Sequence, residues 1–225
     1  RIGEHALPDG IASGCLVDHL GKRILLTVSH ATGDNKNWAI QLRYVPKKRT
    51  ELYQLGAMMF LAKGTMQSDK LDDVDFSYVK VPPLTLAYRQ EIELPSNKIK
   101  SEHRITVHKT PFGATPSSDQ MFGFCGLVMP TRESHFGNTY FGGELKIYTE
   151  LAYLRTEGDY FVFKLPFKHP GHEHFQGCSG APILNADGQP VALVCCGEES
   201  NDEIWGISLE KFKVAIDILA NEAEA

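Results

Sequence analysis

The sequence lacks any apolar run that approaches the length of a membrane span, so no membrane helix is predicted. Positive charge is not in excess either, since 23 Lys and Arg stand against 28 Asp and Glu, for a formal net charge of −5. That balance argues against a general nucleic-acid binder, which needs basic surface to neutralise phosphates. Residues 1–10 do not form a signal peptide. We therefore expect neither a nucleic-acid nor a membrane partner.

Cysteine is scarce and odd in number, with five residues in the chain: Cys15, Cys125, Cys178, Cys195 and Cys196. Neighbouring residues of a strand point to opposite faces, so Cys195 and Cys196 are not expected to join one local bridge. We interpret the five as reduced, mostly buried thiols. Because thiols stay reduced in the cytosol, the sequence predicts a cytoplasmic protein.

Helical periodicity is also rare. It is convincing only from Ser208 onward, where Leu209, Phe212, Ala215, Ile216 and Leu219 recur at helical spacing. Elsewhere short β-branched or alternating segments are separated by turn residues. Strands are predicted over residues 11–17, 23–28, 38–44, 52–62, 104–108, 121–129, 144–154, 160–165, 182–184 and 191–195, with hairpin turns at 156–159 and 185–189.

With 225 residues, of which 42% are hydrophobic, the chain can form one large all-β domain or two small lobes. The polar segment 91–101 is predicted to connect two such lobes.

Residues 177–182, Gly-Cys-Ser-Gly-Ala-Pro, have the composition expected around a nucleophilic serine. A serine hydroxyl needs a base to take its proton and donors that await the oxyanion. Glycines allow a tight turn in which the backbone N–H groups of Gly177 and Ser179 converge on one point. Taken alone, the segment is equally well explained as an ordinary turn before a strand.

Two further segments supply the partners of such a serine. The apolar run 24–28 leads to His30, which places an imidazole at the rim of a strand, where it can act as a general base. Asp75 opens an alternating strand, where its carboxylate can orient a histidine. Separately, a structural histidine and a solvated acidic turn are the simpler explanations. The order His, Asp, Ser along one chain favours a catalytic triad.

These segments resemble the trypsin-like (chymotrypsin-fold) serine peptidases. Residues 27–30, Thr-Val-Ser-His, resemble the family's Thr-Ala-Ala-His, and residues 75–79, Asp-Phe-Ser-Tyr-Val, resemble its Asp-Ile-Ala-Leu-Leu. Residues 177–182 resemble its Gly-Asp-Ser-Gly-Gly-Pro, and residues 13–17 match the Ser-Gly strand that precedes the histidine segment. The match runs from residue 11 to residue 215, with residues 82–168 matching only as β-strands.

The resemblance implies an all-β fold of two antiparallel six-stranded β-barrels with a C-terminal helix. Residues 1–95 would form the lobe that carries His30 and Asp75, and residues 96–225 the lobe that carries Ser179 and the helix. It implies a serine endopeptidase that works through an acyl-enzyme, with Gly177 and Ser179 as the oxyanion hole and no cofactor. Its partners would be a protein or peptide substrate and a regulatory partner or fused domain.

Two features depart from the secreted members of this family. Those members carry several disulfides, whereas the cysteines here are predicted to be reduced. They also place an aspartate directly before the nucleophile, where it pairs with a newly formed N-terminus, but Cys178 stands at that position. The resemblance is therefore to an intracellular bacterial-type member, controlled by a loop, a partner or a fused domain.

The resemblance also suggests a specificity pocket. Its floor, six positions before the nucleophile, would be Glu173, and its walls would come from Cys195, Cys196, Gly197 and Gly206. A carboxylate in a desolvated slot favours a cationic group, so cleavage after Arg or Lys is predicted. A one-residue slip in this loop would put a histidine at the floor instead.

Three histidines, His169, His172 and His174, precede Cys178 and raise the alternative of a zinc site. Their spacing matches no established zinc pattern, so no metal is predicted. Two other functions stay open at this point. One is a binding or scaffold domain that has kept the fold without the chemistry, and the other is an ester hydrolase that uses the same triad.

Overall fold

The computed structural model describes residues 10–33, 38–45, 50–64, 71–83, 88–93, 96–109, 111–135 and 138–222. The strands are β1 Cys15–His19, β2 Lys22–Thr27, β3 Ala39–Arg43, β4 Glu51–Gln54, β5 Met59–Lys63, β6 Asp72–Val81, β7 Tyr88–Glu93, β8 Lys98–Arg104, β9 Val107–Lys109, β10 Met121–His135, β11 Asn138–Glu157, β12 Tyr160–Lys164, β13 Pro182–Leu184, β14 Pro190–Glu198 and β15 Glu203–Ser208. The helices are α1 Ser29–Thr32 and α2 Leu209–Asn221, and short 3-10 turns cover His172–Phe175 and Glu199–Asn201.

The first part of the chain forms a five-stranded sheet with the order β5-β6-β2-β1-β9. Strands β1 and β2 are a hairpin whose turn, Leu20 and Gly21, takes the positive φ angles of 48° and 76° that a tight hairpin needs. Strand β6 pairs antiparallel with β2, so that Thr27 at the end of β2 lies opposite Ser77. The residues after Thr27 therefore run toward the start of β6. The two segments predicted to carry His30 and Asp75 are therefore neighbours.

The predicted second barrel is not found among the described residues. Beside the five-stranded sheet, β3 pairs with β4 and β7 pairs with β8, each as a separate two-stranded sheet. The predicted strand 52–62 is divided into β4 and β5, since β4 pairs with β3 whereas β5 pairs with β6 in the five-stranded sheet.

Segment 91–101 was predicted as an inter-lobe connection; it contains parts of two strands, and its role as the connection stays a prediction. Its residues form most of the hairpin β7/β8, in which Ile92 pairs with Ile99 around a turn at Asn97 with φ 53°. The burial pattern of β8 contains no fully buried side chain, so its polar composition resembles that of a loop. The lobe boundary near residue 95 stays a prediction, although β9, which follows it, pairs with β1.

The second part of the chain closes into a barrel with the strand order β10-β11-β12-β15-β14-β13. This confirms one of the two predicted barrels. The hairpin of β10 and β11 is longer than the predicted strands 121–129 and 144–154, because pairing continues as far as His135 and Asn138. The turns predicted at 156–159 and 185–189 are present, with Gly158 at φ 54° and Gly188 at φ 75°. Within the described ranges no helix has the length and apolar character needed to span a bilayer.

Helix α2 begins where the periodicity predicted it. Ser208 caps it by accepting a hydrogen bond from the N–H of Lys211 at 3.4 Å. Its apolar face packs on the first sheet, where Phe212 stacks on Phe76 with ring centroids 5.0 Å apart. One buried cluster combines β2 and β6 with β14, β15 and α2. The two halves thus share a core, and the site described below lies where they meet.

Candidate active site

Ser179 lies in the loop between the 3-10 turn His172–Phe175 and β13. The N–H of Cys178 bonds back to the carbonyl of Phe175, and the N–H of Gly180 bonds to the carbonyl of Val194 in β14, both at 2.8 Å. Gly180 has φ +89°, and a Cβ there would stand 2.2 Å from the carbonyl oxygen of Ser13. Only glycine fits both demands, which accounts for the glycine directly after the nucleophile.

Ser13 fastens this loop from the other half of the molecule, a role that sequence reasoning missed. Its Oγ donates to the carbonyl of Gly177 at 2.6 Å, and its N–H donates to the carbonyl of Ser179 at 3.1 Å. Its own carbonyl accepts from Thr27 Oγ1 at 2.9 Å. The sequence indicates Ser13 only as the start of a strand that matches the family. No local pattern reveals a contact between residues 164 positions apart.

His30, Asp75 and Ser179 come together as predicted. Nδ1 of His30 lies 2.8 Å from Oδ2 of Asp75, and Nε2 lies 3.0 Å from Oγ of Ser179. Strand β2 ends in the short helix α1, which carries His30 across the start of β6. The backbone N–H of His30 and the hydroxyl of Ser29 both donate to Oδ1 of Asp75, at 2.8 and 2.9 Å. The carboxylate is thus fixed through both of its oxygens.

The electrostatics pair an ionised carboxylate with a histidine of raised basicity. The hydrogen bond that the His30 ring donates to Asp75 raises the pKa of His30 above its ordinary 6.5, against the opposing effect of partial burial. Burial alone would raise the pKa of Asp75, but hydrogen bonds from the His30 ring, the Cys195 thiol and the His30 backbone lower it well below its usual range. Asp75 therefore stays charged at neutral pH and holds the Nδ1–H tautomer of His30.

Cys195 was predicted to line the substrate pocket, but the structure places it against the triad. Its Sγ lies 2.7 Å from Oδ2 of Asp75, and the residue is buried. The cause is a bulge in β14, where the pairing with β15 shifts register between Val194 and Cys196. Cys196, its neighbour, is exposed. No alternation rule locates this bulge in the sequence.

The two glycines predicted as pocket walls are closely packed on the side where a Cβ would stand. A Cβ on Gly206 would meet Ile183 Cδ1 at 2.7 Å and Ala192 Cβ at 2.8 Å, so this glycine lets core side chains approach, and its role as a pocket wall stays a prediction. A Cβ on Gly197 would lie 2.3 Å from Nε2 of His169, which fills the space on that side.

The predicted floor, Glu173, is exposed in the 3-10 turn. Its neighbours are engaged elsewhere, since the N–H of His172 donates to Glu199 at 2.6 Å and Nε2 of His174 lies 2.7 Å from the hydroxyl of Tyr148. Among the described residues, Glu173 makes no ion pair. Its role in specificity stays a prediction.

The predicted oxyanion donors lie directly around the nucleophile. Within the described parts of the chain, the backbone N–H groups of Gly177 and Ser179 make no hydrogen bond to other backbone groups, whereas the N–H groups of Cys178, Gly180 and Ala181 all do. The carbonyl of Gly177 is held by Ser13. The two N–H groups remain available to a ligand oxygen.

The histidines before Ser179 do not gather into a zinc site. His169 packs on Phe175, His174 bonds to Tyr148, and Cys178 is buried with its Sγ 3.5 Å from the carbonyl of Leu127. In the described chain, the one cluster of three possible ligands is His30, Asp75 and Cys195. Its atoms are already paired by hydrogen bonds, and Asp75 contributes to raising the pKa of the Cys195 thiol, so a thiolate ligand is disfavoured there.

No protein-family model and no curated protein matches this chain by sequence. Solved structures do match it in three dimensions. Human heparin binding protein aligns with a TM-score of 0.56 and 13% identity, over 94% of this chain and 87% of that chain. Neuropsin, a serine protease expressed in the limbic system of mouse brain, aligns with a TM-score of 0.56 and 12% identity, over 92% of this chain and 88% of that chain. The chain therefore has the fold of the chymotrypsin-like serine proteases.

Proposed function

We propose that this protein is a serine endopeptidase that hydrolyses peptide bonds by acyl transfer. One observation carries the proposal: His30 bridges Asp75 and Ser179 with hydrogen-bond distances of 2.8 and 3.0 Å. A nucleophile, a base and the group that orients the base are thereby aligned in the order that triad chemistry requires.

The reaction follows from this alignment. Nε2 of His30 takes the proton of Ser179 as Oγ attacks the scissile carbonyl, and Asp75 stabilises the imidazolium. The N–H groups of Gly177 and Ser179 would bind the oxyanion of the tetrahedral intermediate. His30 then gives its proton to the leaving amine, and a water molecule repeats the cycle on the acyl-enzyme. Apart from the substrate and water, these steps use only groups of this chain.

For the substrate we propose cleavage after Arg or Lys, with Glu173 binding the cation. In support, acidic residues lie in the two segments that border the candidate triad. Glu198 and Glu199 directly follow the segment of β14 next to the triad, and the carboxylate of Glu199 accepts from the same turn that contains Glu173. Acidic groups around a cleft attract and orient basic substrates.

A polyanion-binding role is not favoured by the same residues. One structural neighbour is named for binding heparin. This chain, however, has a net charge of −5, and Glu198 and Glu199 lie at the end of the strand that borders the candidate triad. Binding of a polyanion would require the opposite sign of charge.

We also propose a cytoplasmic location for the enzyme and a means by which its activity is regulated. All five cysteines are free, which supports a reducing, cytoplasmic environment. Cys178, directly before Ser179, is buried and bonded to a carbonyl. A cysteine has no carboxylate that could pair with a new N-terminus. We propose that a loop, a partner or a fused domain controls activity instead.

The test is covalent labelling with a fluorophosphonate, which reacts only with an activated serine. We expect labelling of Ser179, loss of labelling in Ser179→Ala and full labelling in the matched control Ser200→Ala. Hydrolysis of peptides by the untreated protein, abolished by the label and by Ser179→Ala, supports an endopeptidase, and hydrolysis of small esters alone supports an ester hydrolase. Absence of labelling in the folded protein would contradict the proposal and favour a binding domain.

A further inference from the structure

Two adjacent thiols stand beside the candidate triad. In a regular strand their side chains would point to opposite faces, as the sequence predicted. The bulge in β14 breaks that alternation, because Val194 pairs with Gly206 and Cys196 with Trp205, which leaves Cys195 as the extra residue. Sγ of Cys195 lies 2.7 Å from Oδ2 of Asp75, and Cys196, the next residue, is exposed. Cys195 is therefore turned toward the candidate aspartate, and an accessible thiol follows it directly at the bulge.

The two thiols differ in access and in charge. Cys196 is exposed and Cys195 is buried. A side-chain interaction with Cys195, helped by the charge of His30, lowers the pKa of Cys196 against partial burial and the charges of Asp75 and Glu198. The same interaction, followed by burial and Asp75, raises the pKa of Cys195. One thiol is thus accessible and inclined to be a thiolate, while its neighbour is a protected, protonated thiol.

We propose that Cys196 is a peroxide-reactive cysteine, that Cys195 is its resolving partner, and that their oxidation switches the active site off. An accessible nucleophilic thiol next to a second thiol is the arrangement that favours oxidation to a disulfide.

The chemistry balances with hydrogen peroxide as the oxidant. The Cys196 thiolate attacks one peroxide oxygen, the O–O bond breaks, and hydroxide leaves a sulfenic acid on Cys196. The sulfur of Cys195 then attacks the sulfur of Cys196, and its proton leaves with the displaced hydroxide as water. Two thiols and one peroxide give one disulfide and two waters, so both sulfurs are oxidised and both peroxide oxygens are reduced.

The disulfide would disable the site and yet be easily reduced. It removes the thiol that stands 2.7 Å from Asp75, and it ties together two residues of the strand that borders His30. Neighbouring Cα atoms are about 3.8 Å apart, closer than in ordinary disulfides, and a strained disulfide is more readily reduced. The loss of activity rests on the proposed function, whereas the thiol chemistry does not.

The first experiment measures the thiols alone. The intact protein is treated with hydrogen peroxide, and peptides are analysed by mass spectrometry. We expect the peptide with Cys195 and Cys196 to lose two hydrogens and to regain them with dithiothreitol, at least tenfold faster than the other exposed thiol, Cys125, is oxidised. In Cys195→Ser we expect a sulfenic acid on Cys196 that dimedone traps. Reaction of Cys196 no faster than Cys125, or no disulfide in the wild type, would overturn the proposal.

The second experiment follows fluorophosphonate labelling of Ser179 in the same samples. Oxidation should slow labelling roughly tenfold or more, the scale of one lost hydrogen bond to a charged group, and dithiothreitol should restore it. In Cys196→Ser the labelling rate should be the same before and after peroxide treatment. Equal loss in Cys196→Ser and wild type would overturn the switch. If the untreated wild type does not label at all, the proposed function fails, and the mass measurement still decides the thiol pair.

Discussion

Sγ of Cys195 lies 2.7 Å from Oδ2 of Asp75, the same oxygen that lies 2.8 Å from Nδ1 of His30. The aspartate therefore has a protein partner at each oxygen, because Oδ1 accepts from Ser29 and from the backbone of His30. A carboxylate held this way keeps one orientation, and the histidine that depends on it keeps one tautomer. We therefore predict that Cys195 acts on the chemistry through Asp75, as a positioning residue.

The first prediction tests that role. Cys195→Ala should lower kcat/KM roughly tenfold or more, because it removes a hydrogen bond to a charged group, with KM nearly unchanged. Cys195→Ser keeps a donor at the same place and should restore most of the rate. Steady-state kinetics with one peptide across both variants gives the comparison. Equal rates in the alanine and serine variants would show that the cysteine only fills space.

The second prediction separates Asp75 from its acidic neighbour. Asp75 faces His30, whereas Asp73 is exposed on the same strand and belongs to the pairing with β5. Asp75→Asn should reduce kcat by orders of magnitude, since the amide holds the wrong tautomer of His30. Asp73→Asn, the matched control, should change kcat less than about twofold, and the measurement is kcat for both. A reversed result would mean that the register of β6 is wrong.

The three candidate triad residues could be predicted from sequence because each lies in a short segment whose residue pattern indicates its place in the fold. His30 follows an apolar strand, Asp75 lies near the start of an alternating one, and Ser179 lies between residues that permit a tight turn. The strands of the second half and helix α2 were predictable for a similar reason, since their apolar patterns are strong, whereas the closed barrel was implied by the family resemblance. The β7/β8 hairpin was not, because strands with little buried surface look like loops.

The parts that sequence reasoning missed depend on contacts between distant segments. Ser13 meets Gly177 across a sequence separation of 164 residues. Cys195 reaches Asp75 only because a bulge inserts an extra residue in β14, and bulges leave little trace in a periodicity of two. The close approach of Ile183 and Ala192 to Gly206 was likewise not visible in the sequence.

The third prediction concerns pH. A protonated His30 cannot take the proton of Ser179, and Asp75 raises the pKa of His30 above the ordinary value of 6.5. The value of kcat/KM should therefore rise with pH to a plateau, with its midpoint above 6.5. In Asp75→Asn the main cause of the raised pKa is gone, so the midpoint of the residual activity should move down. A wild-type midpoint below 6.5 would show that burial outweighs Asp75.

The fourth prediction concerns the contact between the two halves. Ser13→Ala removes the 2.6 Å bond from Oγ to the carbonyl of Gly177 and leaves the backbone bonds of Ser13 in place. The free energy of unfolding should fall by about 1 kcal/mol, and kcat should fall more than KM changes, because the nucleophile loop loses its fastening. Denaturant titration and kinetics measure the two effects. Ser117→Ala, on the surface, is the control, and equal kcat in both variants would contradict a role for Ser13.

The last prediction is specificity. If Glu173 binds the side chain before the scissile bond, a peptide library varied at that residue should be cleaved best after Arg or Lys. In Glu173→Gln the preference should weaken mainly through a higher KM for basic peptides, since the lost charge acts in binding before it acts in chemistry. Glu210→Gln, on the exposed face of α2, changes the net charge equally and should leave the profile as it is. A preference for small, apolar or acidic residues that survives Glu173→Gln would show that Glu173 is only a loop residue. Because Glu198 and Glu199 remain in that variant, a preference for basic residues that survives unchanged would instead assign recognition of the cation to the end of β14.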